Sequence, residues 1–217
     1  MEKPSGTRSR LLREGFGVFF IAMETINNET ITSLLADLGL DAAFTSQSLQ
    51  SLAAANSRYL KDLKLNVSGM LGSSNMTKKE AYLLALSVAI NEKHEALIAA
   101  FEQQATTHGA SPEEIAETHA CASLMATNNI FYRFRHFMHS NEYYNKQPAG
   151  LRMSVMLNPA MGKGLFELMS LVLSAVNGCE RCVTSHEHSV KEQGAGEPRI
   201  YDAIRLGAVI KGLCTAL

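Results

Sequence analysis

Two cysteines three positions apart, with a histidine four positions further on, carry the most chemistry in this chain: Asn177-Gly-Cys179-Glu-Arg-Cys182-Val-Thr-Ser-His186-Glu-His188. On a helix, spacings of three and four set Cys179, Cys182 and His186 in one stripe. Two thiols one turn apart can close a disulfide. Thiol–disulfide exchange needs such a pair, because the second thiol resolves what the first attacks. Asn177-Gly178 suits a helix start, which would place Cys179 among unpaired backbone N–H groups that favour thiolate, as does the helix dipole. Arg181 adds a nearby cation, and His186 can take the proton of Cys182 or pair with its anion. A thiol of pKa ~8.5 is only ~3% ionised at pH 7, whereas one tuned to ~7 is half ionised. The spacing leaves the division of labour open: helix-end logic activates Cys179, and the reach of His186 activates Cys182.

Other readings of these residues carry less. A CxxC can be half of a zinc site, but no second CxxC or distant histidine pair accompanies it. One helix cannot wrap Cys179, Cys182, His186 and His188 around a tetrahedral ion. An inert structural pair would not need Glu180, Arg181 and His186 around it. His188 falls on another side of the helix. Cys121 and Cys214 stand alone in helical segments as small buried hydrophobes, and His94, His108 and His119 show no partner spacing.

The elements that must position the site are helices. Ala, Leu, Met, Glu, Gln and Lys dominate, Trp is absent, aromatics are 7%, and no stretch alternates as a strand would. Thr30 can cap a segment with Ile31, Leu34, Leu35 and Leu38 at helical spacing and Gly39 past its end. A second segment spans about 46–65. Thr77-Lys-Lys-Glu80 and Ser111-Pro-Glu-Glu114 are capping boxes, the latter with proline at the first helical position. Breaks at Pro148-Ala-Gly150 and Asn158-Pro159 precede a helix over about 162–176, one starting near Cys179 and one near Pro198. The expected class is all-α.

With 217 residues, 46% of them hydrophobic, the chain suits one domain or two halves sharing a core. Four cysteines exclude a disulfide-scaffolded secreted fold, and a net charge of −1 gives no electrostatic case for nucleic acid. The aromatic and basic run 131–139 is accounted for by one amphipathic helix. No run approaches the ~18 apolar residues of a membrane span. Basic residues 3–13 followed by the apolar run 15–23 have the outline of a secretory signal, but Glu24 stands where a small-residue cleavage site would lie. Residues 1–22 are expected to be dispensable, with Met23 a candidate start.

A weak internal repeat adds an architecture. Shifted by 87, Glu80–Ser87 overlies Glu167–Ser174; at 85, Gly109-Ala110 meets Gly194-Ala195 and Ile115 meets Ile200. Copies are expected over about 77–128 and 162–215. At the shift of 87, Glu92, Glu95 and Ala99 stand opposite Cys179, Cys182 and His186.

Glu167, eleven residues, Cys179-Glu-Arg-Cys182, three residues, His186 resembles the signature of the alkyl hydroperoxidase AhpD family. Further segments resemble it too: Tyr59–Asn66, Asn128-Asn-Ile-Phe-Tyr-Arg133, Gly150–Met153, Asn158-Pro159 and His186-Glu-His188. The likeness covers about residues 50–217, leaving 1–50 as an N-terminal extension before a 51–217 domain. The wider carboxymuconolactone decarboxylase-like superfamily shares the helical fold, and its decarboxylases lack the CxxC. Arg181 departs from the pattern, since a known AhpD has histidine before the second cysteine.

The resemblance implies an all-helical homotrimer with one redox site per subunit and neither metal nor tightly bound cofactor. Electrons would come from a lipoyl group on a 2-oxoacid dehydrogenase component and pass to the peroxiredoxin AhpC, or directly to organic hydroperoxides. It makes Cys182 the thiol that forms the sulfenic acid or mixed disulfide, and Cys179 the resolving thiol and proton donor. Glu167 and His186 would relay the proton. A cytoplasmic location follows, without nucleic-acid or membrane partners. A general disulfide reductase of the same fold, and a redox-sensing or zinc-stabilised interaction module, are the alternatives.

Overall fold

A computed structural model describes residues 28–217. The signal-like segment and the expected dispensable stretch 1–22 lie outside these residues. Ten helices make up the described chain: α1 Glu29–Leu38, α2 Gln47–Ala54, α3 Tyr59–Leu71, α4 Lys78–Asn91, α5 Glu95–Thr107, α6 Pro112–Phe137, α7 Glu142–Lys146, α8 Lys163–Val176, α9 Glu180–Glu192 and α10 Glu197–Ala216. A single 3-10 turn, Ser154–Met156, lies between α7 and α8. No strand occurs among the described residues, so the fold is all-α.

Local chemistry sets most helix starts. Both capping boxes form: Thr77 and Glu80 bond each other's backbone N–H groups at α4, and Ser111 and Glu114 do so at α6. The start of α1 differs from expectation. Its cap is Asn28, whose Oδ1 accepts the N–H of Thr30 at 3.0 Å and of Ile31 at 3.2 Å. A continuous helix over 46–65 is also corrected to two, α2 and α3. Asn56 takes a left-handed backbone at φ 47° between them, a conformation Asn tolerates, and Ser57 Oγ accepts the N–H of Tyr59.

The core is built on α4 and α8. Ala81–Ala89 and nearly every residue of Leu165–Ser174 are buried, because each of these helices is covered on all sides by neighbours. α4 packs on α5, α6, α8 and α10, and α8 on α6, α9 and α10. Where α10 crosses α8, Gly207 lets the backbones close in: a Cβ there would stand 2.5 Å from Cγ1 of Val172. Residues 28–50 join this body, with Leu34 and Leu38 in the main core.

The helix bounds repeat under one shift. Adding 85 to α4 gives α8 and adding 85 to α5 gives α9, residue for residue, and α6 and α10 start in the same relation. The turns match as well: Lys93 at φ 59° corresponds to Gly178 at φ 67°, and Gly109 at φ 90° to Gly194 at φ 86°. The alignment of Glu80 with Glu167 at 87 is therefore corrected. At the helices' own register Tyr82 stands opposite Glu167, and His94, Leu97 and Phe101 stand opposite Cys179, Cys182 and His186. The extra two positions came from matching leucines inside two uniformly apolar helices, where any small slip scores well. We propose common descent of the two units as the reason for the shared register.

Candidate active site

The site is a helical hairpin. α8 and α9 run antiparallel through Asn177-Gly178, and the turn closes with Cys179 donating its N–H to Ser174 O at 3.0 Å. Gly178 supplies the left-handed step, with Arg133 Nη1 4.0 Å from where its Cβ would be. Cys179 is the N-cap of α9 and Cys182 lies in the first turn. The two are joined as a disulfide, with Cα atoms 5.3 Å apart. Their surroundings differ: Cys179 is 0% exposed and Cys182 6%.

Glu167, on the second turn of α8, faces His186, two turns into α9. Oε2 of the carboxylate lies 2.7 Å from Nδ1 of the imidazole, and both side chains are largely buried. An ionised carboxylate only accepts, so Nδ1 carries the hydrogen and Nε2 is left as the basic nitrogen. The structure thus gathers Cys179, Cys182, His186 and Glu167.

A cavity of about 310 Å³ opens beside them, lined by Asn128, Tyr132, Met153, Met156, Arg181, Cys182, Ser185 and His186. That volume is at the small end of the ~300–1,000 Å³ of small-molecule sites. Arg181 and Ser185 form an exposed edge, while Tyr132 and the two methionines make an apolar wall. A larger open groove of about 630 Å³ between α2, α3 and α10 contains no thiol, imidazole or carboxylate among its lining residues.

The turn before the cysteines is held by a polar network inside the helices. Asn177 exchanges amide hydrogen bonds with Asn91 at 3.0 and 3.1 Å and donates to Asn129 Oδ1 at 2.9 Å. Asn129 in turn donates to Ser174 Oγ at 2.9 Å, and Arg133 Nη1 donates to the Asn177 carbonyl at 2.6 Å. A guanidinium is thereby fixed two residues from Cys179.

Comparison with known proteins gives these residues a context. The description of the carboxymuconolactone decarboxylase family matches residues 143–217, which hold the cysteines and His186. Over 170 residues the chain is 39% identical to an alkyl hydroperoxide reductase AhpD of Azorhizobium caulinodans, covering 78% of this chain and 93% of that protein. It is 40% identical over 168 residues to the AhpD of Rhizorhabdus wittichii, covering 77% and 96%. With the AhpD of a Methylobacterium species it shares 38% over 169 residues, covering 78% and 95%. The chain belongs to the AhpD family.

In this AhpD-family chain the remaining thiols are set apart. Cys121 is wholly buried with Sγ 3.5 Å from Ser170 Oγ, and burial pushes its pKa up to about 12. Burial raises Cys214 likewise to about 12. The three histidines without partner spacing all have partners. His94 caps α5 through Nδ1, His108 stacks on Tyr82 with ring centroids 5.2 Å apart, and His119 Nε2 lies 2.7 Å from Glu102. Spacing arguments missed them because two of the three contacts are between helices and the other is with the backbone. His188 is exposed and pairs with Glu192 on its own helix. No group of three or more His, Cys, Asp or Glu gathers as a metal-ligand set among the described residues. None of the described helices is long and apolar enough to cross a membrane.

Proposed function

We propose that the protein is an alkyl hydroperoxide reductase of AhpD type that takes electrons from a lipoyl group and delivers them through Cys179–Cys182. The observation that carries this reading is the CxxC disulfide beside a hydrogen-bonded Glu167–His186 pair, opening on an apolar-walled cavity. Relatives of 38–40% identity bearing the AhpD name support the reaction class.

The reductive half begins when a dihydrolipoyl thiolate attacks Sγ of Cys182, the sulfur that the cavity reaches. A mixed disulfide forms and Cys179 leaves as the thiolate. The second lipoyl thiol then attacks its own partner sulfur, closing the lipoyl disulfide and freeing Cys182. Two electrons have entered, and both cysteines are reduced.

In the oxidative half, His186 Nε2 takes the proton of Cys182, with Glu167 holding the imidazole and stabilising its cation. The Cys182 thiolate attacks either the disulfide of the peroxiredoxin AhpC or a hydroperoxide. A hydroperoxide leaves a sulfenic acid on Cys182 and releases the alcohol; Cys179 displaces hydroxide, which departs as water, and the disulfide is restored. The donor would be a lipoyl-bearing 2-oxoacid dehydrogenase component, the assembly a homotrimer and the location cytoplasmic, with no metal or tightly bound cofactor required.

The test is NADH oxidation coupled through lipoamide dehydrogenase and lipoamide, with AhpC or cumene hydroperoxide as acceptor. Turnover that depends on both the chain and lipoamide is expected. No turnover with either acceptor, from a chain whose disulfide titrates normally, would overturn the proposal.

A further inference from the structure

Asn128, on α6, lines the cavity beside Cys182 and is itself only 5% exposed. Its Nδ2 donates to Sδ of Met153 at 3.1 Å. A thioether has no hydrogen to give, so this contact fixes which end of the amide faces the sulfur. The other end, Oδ1, is buried and accepts no hydrogen bond from the described residues. Leaving a buried acceptor unmade is costly, and Asn is a poorer helix former than Leu or Met. The neighbouring Asn129 is fully engaged with Ser174 and Asn177. Of the buried polar side-chain atoms left without a partner among the described residues, the other two belong to Thr45 and Arg135, neither of which lines this cavity.

A free acceptor calls for a donor. At their reacting atoms, disulfides offer none and a dihydrolipoyl thiol offers only a weak S–H. An alkyl hydroperoxide offers an O–H, on the very oxygen that a thiolate attacks. We propose that Asn128 Oδ1, which is covered in the disulfide form, binds in the reduced protein the terminal O–H of the hydroperoxide and orients its O–O bond toward Sγ of Cys182, while Tyr132, Met153 and Met156 hold the alkyl group. This assignment rests on the peroxidase reading above.

The step balances. The Cys182 thiolate forms an S–O bond to the terminal oxygen as the O–O bond breaks. The alkoxide takes back from the His186 imidazolium the proton that came from Cys182. Cys182 is oxidised by two electrons to S–O–H, and the hydroperoxide is reduced to the alcohol. The hydrogen held by Asn128 stays on the transferred oxygen throughout, so the same contact serves the sulfenic acid.

Three measurements on the full chain and its Asn128→Leu variant test the assignment. Oxidation of the pre-reduced protein by cumene hydroperoxide should slow at least ~10-fold in the variant, the loss of one well-made hydrogen bond. Reduction of its disulfide by dihydrolipoamide should stay within ~2-fold, since that reductant presents no O–H donor to Asn128. Cumyl alcohol should inhibit the unmodified protein several-fold better than its methyl ether, and this preference should vanish in the variant. Equal slowing of both half-reactions would make Asn128 an anchor for Met153 and overturn the assignment, as would unchanged oxidation. Equal inhibition by alcohol and ether overturns it without any substitution, whether or not the variant folds. An unmodified chain that dithiothreitol reduces but hydroperoxide never oxidises would remove the parent reading and this role with it.

Discussion

Cys179 and Cys182 are the same residue in two environments, and the proposed chemistry turns on the difference. Replacing either by Ser should abolish coupled turnover. Cys121→Ser and Cys214→Ser should retain it, because burial holds both thiols near pKa 12 and leaves essentially no thiolate at neutral pH. Only Cys182→Ser should prevent a covalent complex with AhpC on denaturing gels; a complex trapped through Cys179 would reverse the two roles. Glu167→Gln removes the carboxylate from the imidazole and should lower turnover ~10²-fold with the melt preserved, the scale of general acid–base catalysis. An active variant with an unshifted pH–rate profile would sink the relay. Cys179, Cys182 and His186 were legible because they share a helical stripe, whereas Glu167 was legible only through the family resemblance. Tyr132, Met153 and Met156 were not, since the cavity wall comes from segments that only folding brings together. Asn128 and Asn129 did leave a signal that spacing arguments overlooked: two consecutive amides inside a long helix, where neither helps helix formation.

Helix identities were largely readable from caps and apolar spacing, and both capping boxes and the starts of α8, α9 and α10 stand where the sequence puts them. The α2–α3 break was not, because Asn56 looks like any helix-surface residue until its backbone turns left-handed. Gly207 was equally silent. It sits at no helix end, and its function is the close crossing of α10 on α8, a property of two helices at once. Gly207→Ala improves helix propensity, yet its added methyl would overlap Val172. The clash should win and destabilise the protein by ~1–3 kcal/mol. Urea unfolding measures this, and a more stable variant would show that α10 can move aside freely.

Across the molecule, α10 is tied back to α4 by Arg199, whose guanidinium donates to both oxygens of Glu80 at 2.7 and 3.2 Å. Burial opposes the charge on Glu80, but Arg199 and Thr77 together outweigh it and hold the carboxyl below its ordinary value of 4.5. A depressed carboxylate pKa contributes stability that is present above the unfolded value and lost as pH falls through the folded one. Arg199→Gln should therefore lower stability near neutrality by ~1 kcal/mol or less, given the partial exposure of the pair. That difference should fade as pH drops below the carboxylate range. Urea midpoints across descending pH check this, and a difference that persisted in acid would assign it to packing. The tie joins residues 119 apart, so no local pattern announced it. The shared spacing of the two helix sets was visible only faintly, at Gly109 and Gly194, because two apolar helices can be slid past each other with little penalty in identity.

The covering of Cys179 has a kinetic corollary. If the cavity beside Cys182 is the one doorway, the electron donor must leave before the acceptor enters, and the enzyme works as a turnstile. Initial rates against dihydrolipoamide at several fixed hydroperoxide concentrations should give parallel double-reciprocal lines, the ping-pong pattern of an enzyme modified between half-reactions. Excess hydroperoxide should slow turnover by blocking the doorway while the disulfide is closed. Intersecting lines would mean that both substrates occupy the protein together, and that a second route to the sulfur pair opens in solution.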